Sequence, residues 1–258
     1  MCAALILVIL GVAGCSKKST NPSSTQAQVT QDVADDLALQ TAASLDVTEA
    51  DILTAVSTTP ATATGASQPA RAQWDTTFTQ GALTITATRN FFDAAGNVLP
   101  DHDPIAVRLL WTSHIFGTRE WPRDTAAVDH EAVLDVRGIQ AGVDTLKFDG
   151  GVFDSLFHRF RSYDGTRTRH FLWKSYTTIE DVRHLKSLIV QGSRWPISGQ
   201  CQFEVSADRL RSNNVTDVET HFEATVIVVF NGTSQPDVLV NGMYHYKWNM
   251  VTGTITRV

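Results

Sequence analysis

From residue 74 to the end of the chain, apolar and polar side chains alternate with a period of two. In residues 83–88, Leu, Ile and Ala alternate with Thr, and residues 105–111 and 244–250 place their large apolar side chains at every second position. Because successive side chains of a strand point to opposite faces, this pattern is typical of strands with one buried face. Residues 225–230 differ, since this run is continuously apolar and predicts a strand buried on both faces.

Turn signals separate these runs. Asp164-Gly165, Asn231-Gly232 and Asn241-Gly242 are typical of tight hairpins, in which both turn residues adopt positive φ. Long amphipathic helical patterns do not separate the strands, so the sheet is expected to be antiparallel. Roughly 185 residues would form about ten to twelve strands of common length. The sequence therefore predicts a mainly β protein with a meander or Greek-key sheet, either a sandwich or a half-open barrel, and a short helical N-terminal segment.

The helical segment covers residues 30–56, and it is strongly acidic. It carries six acidic and no basic residues, which equals the formal net charge of −6 of the whole chain. These acids are Asp32, Asp35, Asp36, Asp46, Glu49 and Asp51. Thr30 and Thr48 can each cap a helix, and both stretches have only a weak apolar stripe. We expect short helices here, either packed on the β domain or partly mobile.

The first 15 residues indicate export. Residues 3–13 form an apolar run of signal-peptide length, too short to span a bilayer comfortably. The run ends in Val12-Ala13-Gly14-Cys15, which resembles the lipobox of bacterial lipoproteins. The resemblance implies that residues 1–14 are a signal peptide and that Cys15 becomes an N-terminus carrying acyl chains such as palmitate. Ser16 stands where an Asp would retain an enteric lipoprotein in the inner membrane, which implies the outer membrane, on its periplasmic or its surface face.

Composition divides the rest of the chain. Residues 15–29 are expected to hold the lipidated Cys and a flexible tether, and residues 57–72, rich in Thr, Ala, Ser and Pro, a linker. Residues 73–258 form the β domain. Its Thr-rich strands and the turn at residues 93–97 resemble uncharacterised β-rich bacterial lipoproteins, and this resemblance implies no activity.

Motifs for catalysis or metal binding are missing from the sequence. It lacks a Cys-x-x-Cys pair, a phosphate-binding Gly-rich loop followed by Lys, and a Gly-x-Ser-x-Gly elbow. His130 begins a pattern like that of zinc proteases, but Leu134 occupies the position of the second His. Cys201 lies on the apolar face of its strand and is expected to be buried rather than reactive. We therefore predict no catalytic residues, no metal site and no cofactor, which favours a protein that is not an enzyme.

The hairpin at Asp164-Gly165 is the strongest candidate binding surface. A two-residue turn there pairs Arg159 with His170 and places Arg161 on the same face, opposite an apolar face. Arginine side chains suit phosphates and carboxylates. Arg159, Arg161 and His170 are therefore candidate anion-binding residues for lipid headgroups or acidic polysaccharide, and an ordinary solvated face opposed by acids is the alternative.

The negative net charge argues against nucleic acid as a partner. Three other classes of function remain open. The first is a non-enzymatic envelope module that binds a lipid, glycan or protein partner, or is structural. The second is a carrier of a lipidic ligand in a half-open β-barrel, which requires an apolar concave cavity. The third is an enzyme acting on envelope polymers, which requires two carboxylates across a cleft.

Of the six Trp residues, Trp121 and Trp195 lie in loops and are the expected exposed pair.

Overall fold

The computed structural model describes residues 28–57, 74–101, 103–121, 124–190, 195–211 and 214–258. The predicted signal peptide, the lipidation site Cys15, most of the predicted tether and nearly all of the predicted linker lie outside these residues. Within the described ranges, no helix is long and apolar enough to span a membrane.

Twelve strands in the described residues form one open antiparallel sheet. The strands are β1 (Trp74–Gln80), β2 (Leu83–Phe92), β3 (Val98–Leu99), β4 (Arg108–Glu120), β5 (Asp124–Arg137), β6 (Thr145–Arg161), β7 (Thr168–Leu185), β8 (Ser198–Arg211), β9 (Asn214–Phe230), β10 (Asp237–Val240), β11 (Tyr244–Asn249) and β12 (Thr254–Arg257), and the helices are α1 (Gln31–Ser57) and α2 (Lys186–Val190). Strands follow one another in the sheet in chain order, except that β3 pairs only with β2, on the edge of β2 opposite β4. The predicted mainly β fold is confirmed, as a single meander rather than a two-sheet sandwich.

The sheet curls around α1. This helix contacts β5 and β6 in the middle of the sheet and β10, β11 and β12 at one end of it. A flat sheet would hold these two groups of strands about 20 Å or more apart, too far for one helix about 10–12 Å wide to contact both. The guanidinium of Arg257 on β12 also lies 5.0 Å from the ring centre of Tyr163, which follows β6. The architecture is therefore an open, curled sheet with a helix in its concave face.

α1 is one continuous helix, where the sequence predicted shorter helices. Side chains around its whole circumference are buried, and Asp36, Gln40 and Ser44 are as inaccessible as Leu37. A helix that is buried on all sides has no single apolar stripe, which explains the weak pattern. The buried surface extends to Val29, at the end of the predicted tether.

The inner face of the sheet is buried and its outer face is accessible. β5, for example, alternates buried and more accessible side chains along its length, as the period of two predicts. Two details of the prediction were wrong. Ile105 is 62% exposed in the turn before β4, and Ala106 is buried instead. Residues 225–230 are buried on one face only, because no described element covers the outer face, where Val229 is 36% exposed.

Gly150 allows β5 and β6 to approach closely where the sheet bends. The pairing of β6 with β7 shifts between Phe148 and Gly150. A Cβ at Gly150 would lie only 2.2 Å from the carbonyl oxygen of Val133 on β5. A side chain at this position would therefore push the two backbones apart and oppose the curl.

Candidate functional site

A pocket of about 240 Å³ lies where α1, the turn between β4 and β5, and the end of β11 meet. These three parts of the chain are brought together only by the curl of the sheet. The residues that matter for its chemistry are Leu39, Ala42, Asp46, Trp121, Asp124 and Trp248. We call it the Trp248 pocket.

Asp124 supplies an unused hydrogen-bond acceptor to this pocket. The side chain is 4% exposed, and its Oδ2 lies 2.6 Å from Nδ1 of the fully buried His158. Because a carboxylate only accepts hydrogen bonds, the proton of a neutral His158 lies on Nδ1, which donates to Asp124. Asp124 Oδ1 and His158 Nε2 have no hydrogen-bond partner in the described part of the chain. Because a buried carboxylate oxygen without a donor is costly, this arrangement favours a bound ligand or water that donates to Asp124.

Trp248 supplies the complementary donor. Its side chain is 2% exposed, and the indole Nε1 is buried without an acceptor among the described residues. An indole nitrogen only donates. The residues that line the pocket therefore include one buried acceptor and one buried donor without a partner in the described part of the chain, and hydroxyl groups have the chemistry to pair with either.

Asp46 and Trp121 also line the pocket, and hydrogen bonds hold both side chains in place. Asp46 accepts a 2.9 Å hydrogen bond from Trp121 Nε1 and a second bond from the guanidinium of Arg119. These bonds fix the indole of Trp121, which is half-buried rather than fully exposed as the sequence suggested. Trp195, the other expected exposed Trp, is also half-buried and does not line this pocket.

The buried histidines His130 and His158 contact carboxylates. His130 Nδ1 lies 2.7 Å from Asp154, and Ser44 donates to the same carboxylate rather than to the imidazole. Across the described ranges, no hydrogen bond links a serine or cysteine side chain to a histidine. Cys201 is buried as predicted, and burial raises the pKa of its thiol. Likewise, the described residues contain no group of three or more His, Cys, Asp or Glu placed to hold a metal ion.

The predicted anion-binding residues lie together on the outer face of the hairpin between β6 and β7. Arg159 pairs with His170, as predicted, and Arg161 lies two residues further along the same face. In the described part of the chain, neither arginine forms an ion pair. Burial and the charge of Arg159 lower the pKa of His170, so its imidazole is neutral at pH 7. Backbone pairing ends at Ser162 and Arg167, so the loop has four residues rather than the predicted two, Asp164 and Gly165.

The sequence-based prediction missed Asp124, His158 and Trp248 as site residues. Asp124 and His158 occupy inward positions of β5 and β6, in phase with the buried apolar residues Ala126 and Leu156. A polar residue in the apolar phase of a strand must be buried and must find a partner. A polar residue at an apolar strand position therefore indicates a buried polar site, although the sequence does not identify its partner.

Comparisons with known proteins give no match to this chain, whether among protein-family models, curated proteins or solved structures. Its function must therefore be inferred from its own residues and their geometry.

Proposed function

We propose that this chain is a lipid-anchored protein of a bacterial cell envelope, at the outer membrane, and that its folded part is a binding module rather than an enzyme. The lipobox resemblance at residues 12–15 supports the anchor. The observation that carries the binding role is the pair of buried, unpaired groups, Asp124 Oδ1 and Trp248 Nε1, among the residues of one pocket.

The chemistry of the Trp248 pocket favours a small ligand that carries hydroxyl groups, such as a single sugar ring of an envelope glycan. Hydroxyl groups can donate to Asp124 and accept from Trp248. Trp121, Leu39 and Ala42 add aromatic and aliphatic surface for the C–H groups of such a ring. The volume of about 240 Å³ is below the roughly 300–1,000 Å³ of pockets for drug-sized ligands, which favours one ring over a longer chain.

The two other function classes have weaker support. A lipid carrier needs an apolar cavity in its concave face, and α1 fills that face with residues such as Leu37 that are fully buried. An envelope hydrolase needs two available carboxylates. Asp46 and Asp124 both line the pocket, but Asp46 is already held by Trp121 and Arg119.

Monosaccharide binding tests the pocket. We expect a chain starting at Ser16 to bind N-acetylglucosamine or glucose by titration calorimetry and native mass spectrometry. Trp248→Phe should weaken that binding about 5- to 10-fold, because it removes one neutral donor and keeps most of the ring. Trp195→Phe, outside the pocket, is the matched control. Retention of water alone, with no saccharide bound, would contradict the proposed ligand class.

Metabolic labelling tests the anchor. In cells that express the full chain, we expect a clickable palmitate analogue to label the protein and the protein to fractionate with membranes. Cys15→Ser should abolish both, because the thiol is the expected acylation site. Cys2→Ser, within the predicted signal peptide, should leave labelling intact. Unchanged labelling of Cys15→Ser would show that the chain is not a lipoprotein of this type.

A further inference from the structure

We infer that the end of the domain at which α1 begins faces the membrane, and that Arg159, Arg161 and Arg167 there bind anionic lipid headgroups. We call these three residues the basic rim. The inference rests on the lipid anchor at Cys15 proposed above, and it adds an orientation and a second contact with the membrane surface.

The chain enters the domain beside the basic rim. Asp32, in the first turn of α1, forms a 2.8 Å ion pair with Arg169, near the start of β7. The backbone N–H of Tyr163 in the hairpin loop donates to Asp36, one turn further along the helix, at 3.4 Å. The first two turns of α1 are thus fixed against the hairpin that carries the rim.

The length of chain before the described residues limits how far this end can lie from the bilayer. Thirteen residue steps separate Cys15 from Gln28. Even a fully extended chain spans at most about 3.3–3.6 Å per residue, or roughly 45 Å here. A lipid on Cys15 would therefore keep the α1 entry within roughly 45 Å of the membrane surface, and this end of the domain would be the one joined to the anchor.

The basic rim keeps a net positive charge. Arg159, Arg161 and Arg167 are exposed, and none forms an ion pair in the described ranges. Hydrogen bonds from Ser162 and Thr166 lower the pKa of Asp164 to about 2, so this carboxylate in the same loop is ionised and offsets one of the three charges. Lipid phosphates suit the exposed guanidinium groups.

The opposite end of β6 and β7, together with the neighbouring end of β5, carries three cations that are neutralised by carboxylates. Arg137, Lys147 and Arg183 also lie side by side across β5, β6 and β7. Each of them has a carboxylate within 3.2 Å. The carboxylates are those of Asp135, Asp149 and Asp181. Each end therefore carries a group of three cations, and only the group near the start of α1 has no carboxylate partner among the described residues.

Vesicle binding by the chain that starts at Ser16 tests the inference, because this chain retains every described residue and needs no lipid anchor. We expect it to sediment with vesicles of phosphatidylcholine and phosphatidylglycerol at low salt, and not with phosphatidylcholine alone. Replacing all three rim arginines by Gln should weaken this binding about 100-fold, since each basic residue near an anionic surface contributes about a factor of five. Replacing Arg137, Lys147 and Arg183 by Gln removes the same charge and should change the binding less than about 5-fold.

Equal losses in the two triple variants would overturn the inference, because total charge rather than the rim would then govern binding. Absence of binding to anionic vesicles would also overturn it, as would binding to a soluble acidic polysaccharide such as polygalacturonate but not to vesicles. None of these outcomes depends on labelling at Cys15 or on saccharide binding. A failure of the proposed anchor or pocket would therefore remain distinguishable from a failure of the rim.

Discussion

A chain that begins at residue 58, and so lacks α1, is expected to lose cooperative unfolding, whereas a chain that begins at residue 28 should keep it. The helix buries six large aliphatic side chains, each 6% exposed or less. They are Val33, Leu37, Leu39, Leu45, Val47 and Ile52. At about 1.5–3 kcal/mol for each fully buried side chain, their burial contributes on the order of 10 kcal/mol. That is as large as the net stability of an ordinary domain, roughly 5–15 kcal/mol.

Polar contacts add to this loss. Without α1, the inward-facing Arg169 loses the Asp36 carboxylate, and Asp154 loses the hydroxyl of Ser44. Tyr246 loses its 2.8 Å hydrogen bond to Asp35. Buried polar groups without partners each cost about 1–3 kcal/mol, and more when charged. Without α1, the inner face of the sheet would therefore expose apolar side chains to solvent, and its buried polar groups would lose their partners.

Near-ultraviolet circular dichroism and thermal unfolding of the two truncated chains measure this effect. A separate peptide of residues 28–57, added to the chain that starts at residue 58, should restore part of the transition, which a peptide with Leu37→Asp should not do. A sharp transition in the chain without α1 would contradict the prediction. It would also mean that α1 can leave the concave face, which is the property that a lipid carrier of this shape requires.

The β domain could be predicted from sequence because its inner and outer faces differ in polarity at almost every strand position. Alternation is a local property, visible without knowing which strands pair. The register was predicted at one hairpin, and there the pairing of Arg159 with His170 is confirmed. Prediction failed where local hydrophobicity and burial disagree, as at Ile105, which is apolar and 62% exposed.

The position of α1 could not be predicted, because its polar residues are matched to the sheet rather than to water. The sequence shows six acids on a segment with a weak apolar stripe, and it predicts short helices that are packed on the β domain or partly mobile. In the structure, Asp35, Asp36 and Asp51 are each at most 2% exposed. Their partners include Arg257, Arg169 and Trp111, which lie 60 residues or more away in the sequence. A pairing over that separation leaves no local pattern.

The Trp248 pocket could not be predicted from the sequence for the same reason. Asp46, Asp124 and Trp248 come from a helix, a strand start and a strand end, and the curl of the sheet joins them. The sequence did contain a partial signal, since Asp124, His130 and His158 interrupt apolar strand faces. Such interruptions indicate buried polar networks, and two of them matter here. The network around His130 joins it to two carboxylates, and the pocket contains Asp124 Oδ1 and Trp248 Nε1, which lack a partner among the described residues.

The network around His130 predicts the second large effect. His130 Nδ1 lies 2.7 Å from Asp154, and its Nε2 lies 3.7 Å from Asp51 on α1, with all three side chains at most 1% exposed. Ser44 and Ser113 donate to the two carboxylates. The imidazolium thus joins a strand carboxylate to a helix carboxylate, and removing it would leave both buried without their counter-charge.

His130→Gln is expected to lower the free energy of unfolding by about 3–5 kcal/mol, the usual cost of breaking a buried ion pair from one side. Asp154→Asn in the same chain should recover about 1–3 kcal/mol, because the two residues are coupled. His114→Gln is the matched control. His114 forms the same contact with Asp129, at 2.7 Å, but the two side chains are 45% and 61% exposed, so its loss should cost no more than about 0.5 kcal/mol.

The pH dependence of this difference separates an ionic role of His130 from simple packing. Burial lowers the pKa of His130, but the carboxylates of Asp154 and Asp51 outweigh it and raise the pKa to about 10, against 6.5 in the unfolded chain. Because the pKa is higher in the folded than in the unfolded chain, the stabilisation by His130 is fully present below pH 6.5. It is lost as the pH rises through the folded-state pKa. Urea denaturation should therefore show the largest gap between the wild-type chain and His130→Gln near about pH 6, narrowing steadily toward about pH 10. A gap that stays constant over this window would mean that His130 is neutral in the fold and acts only by filling space.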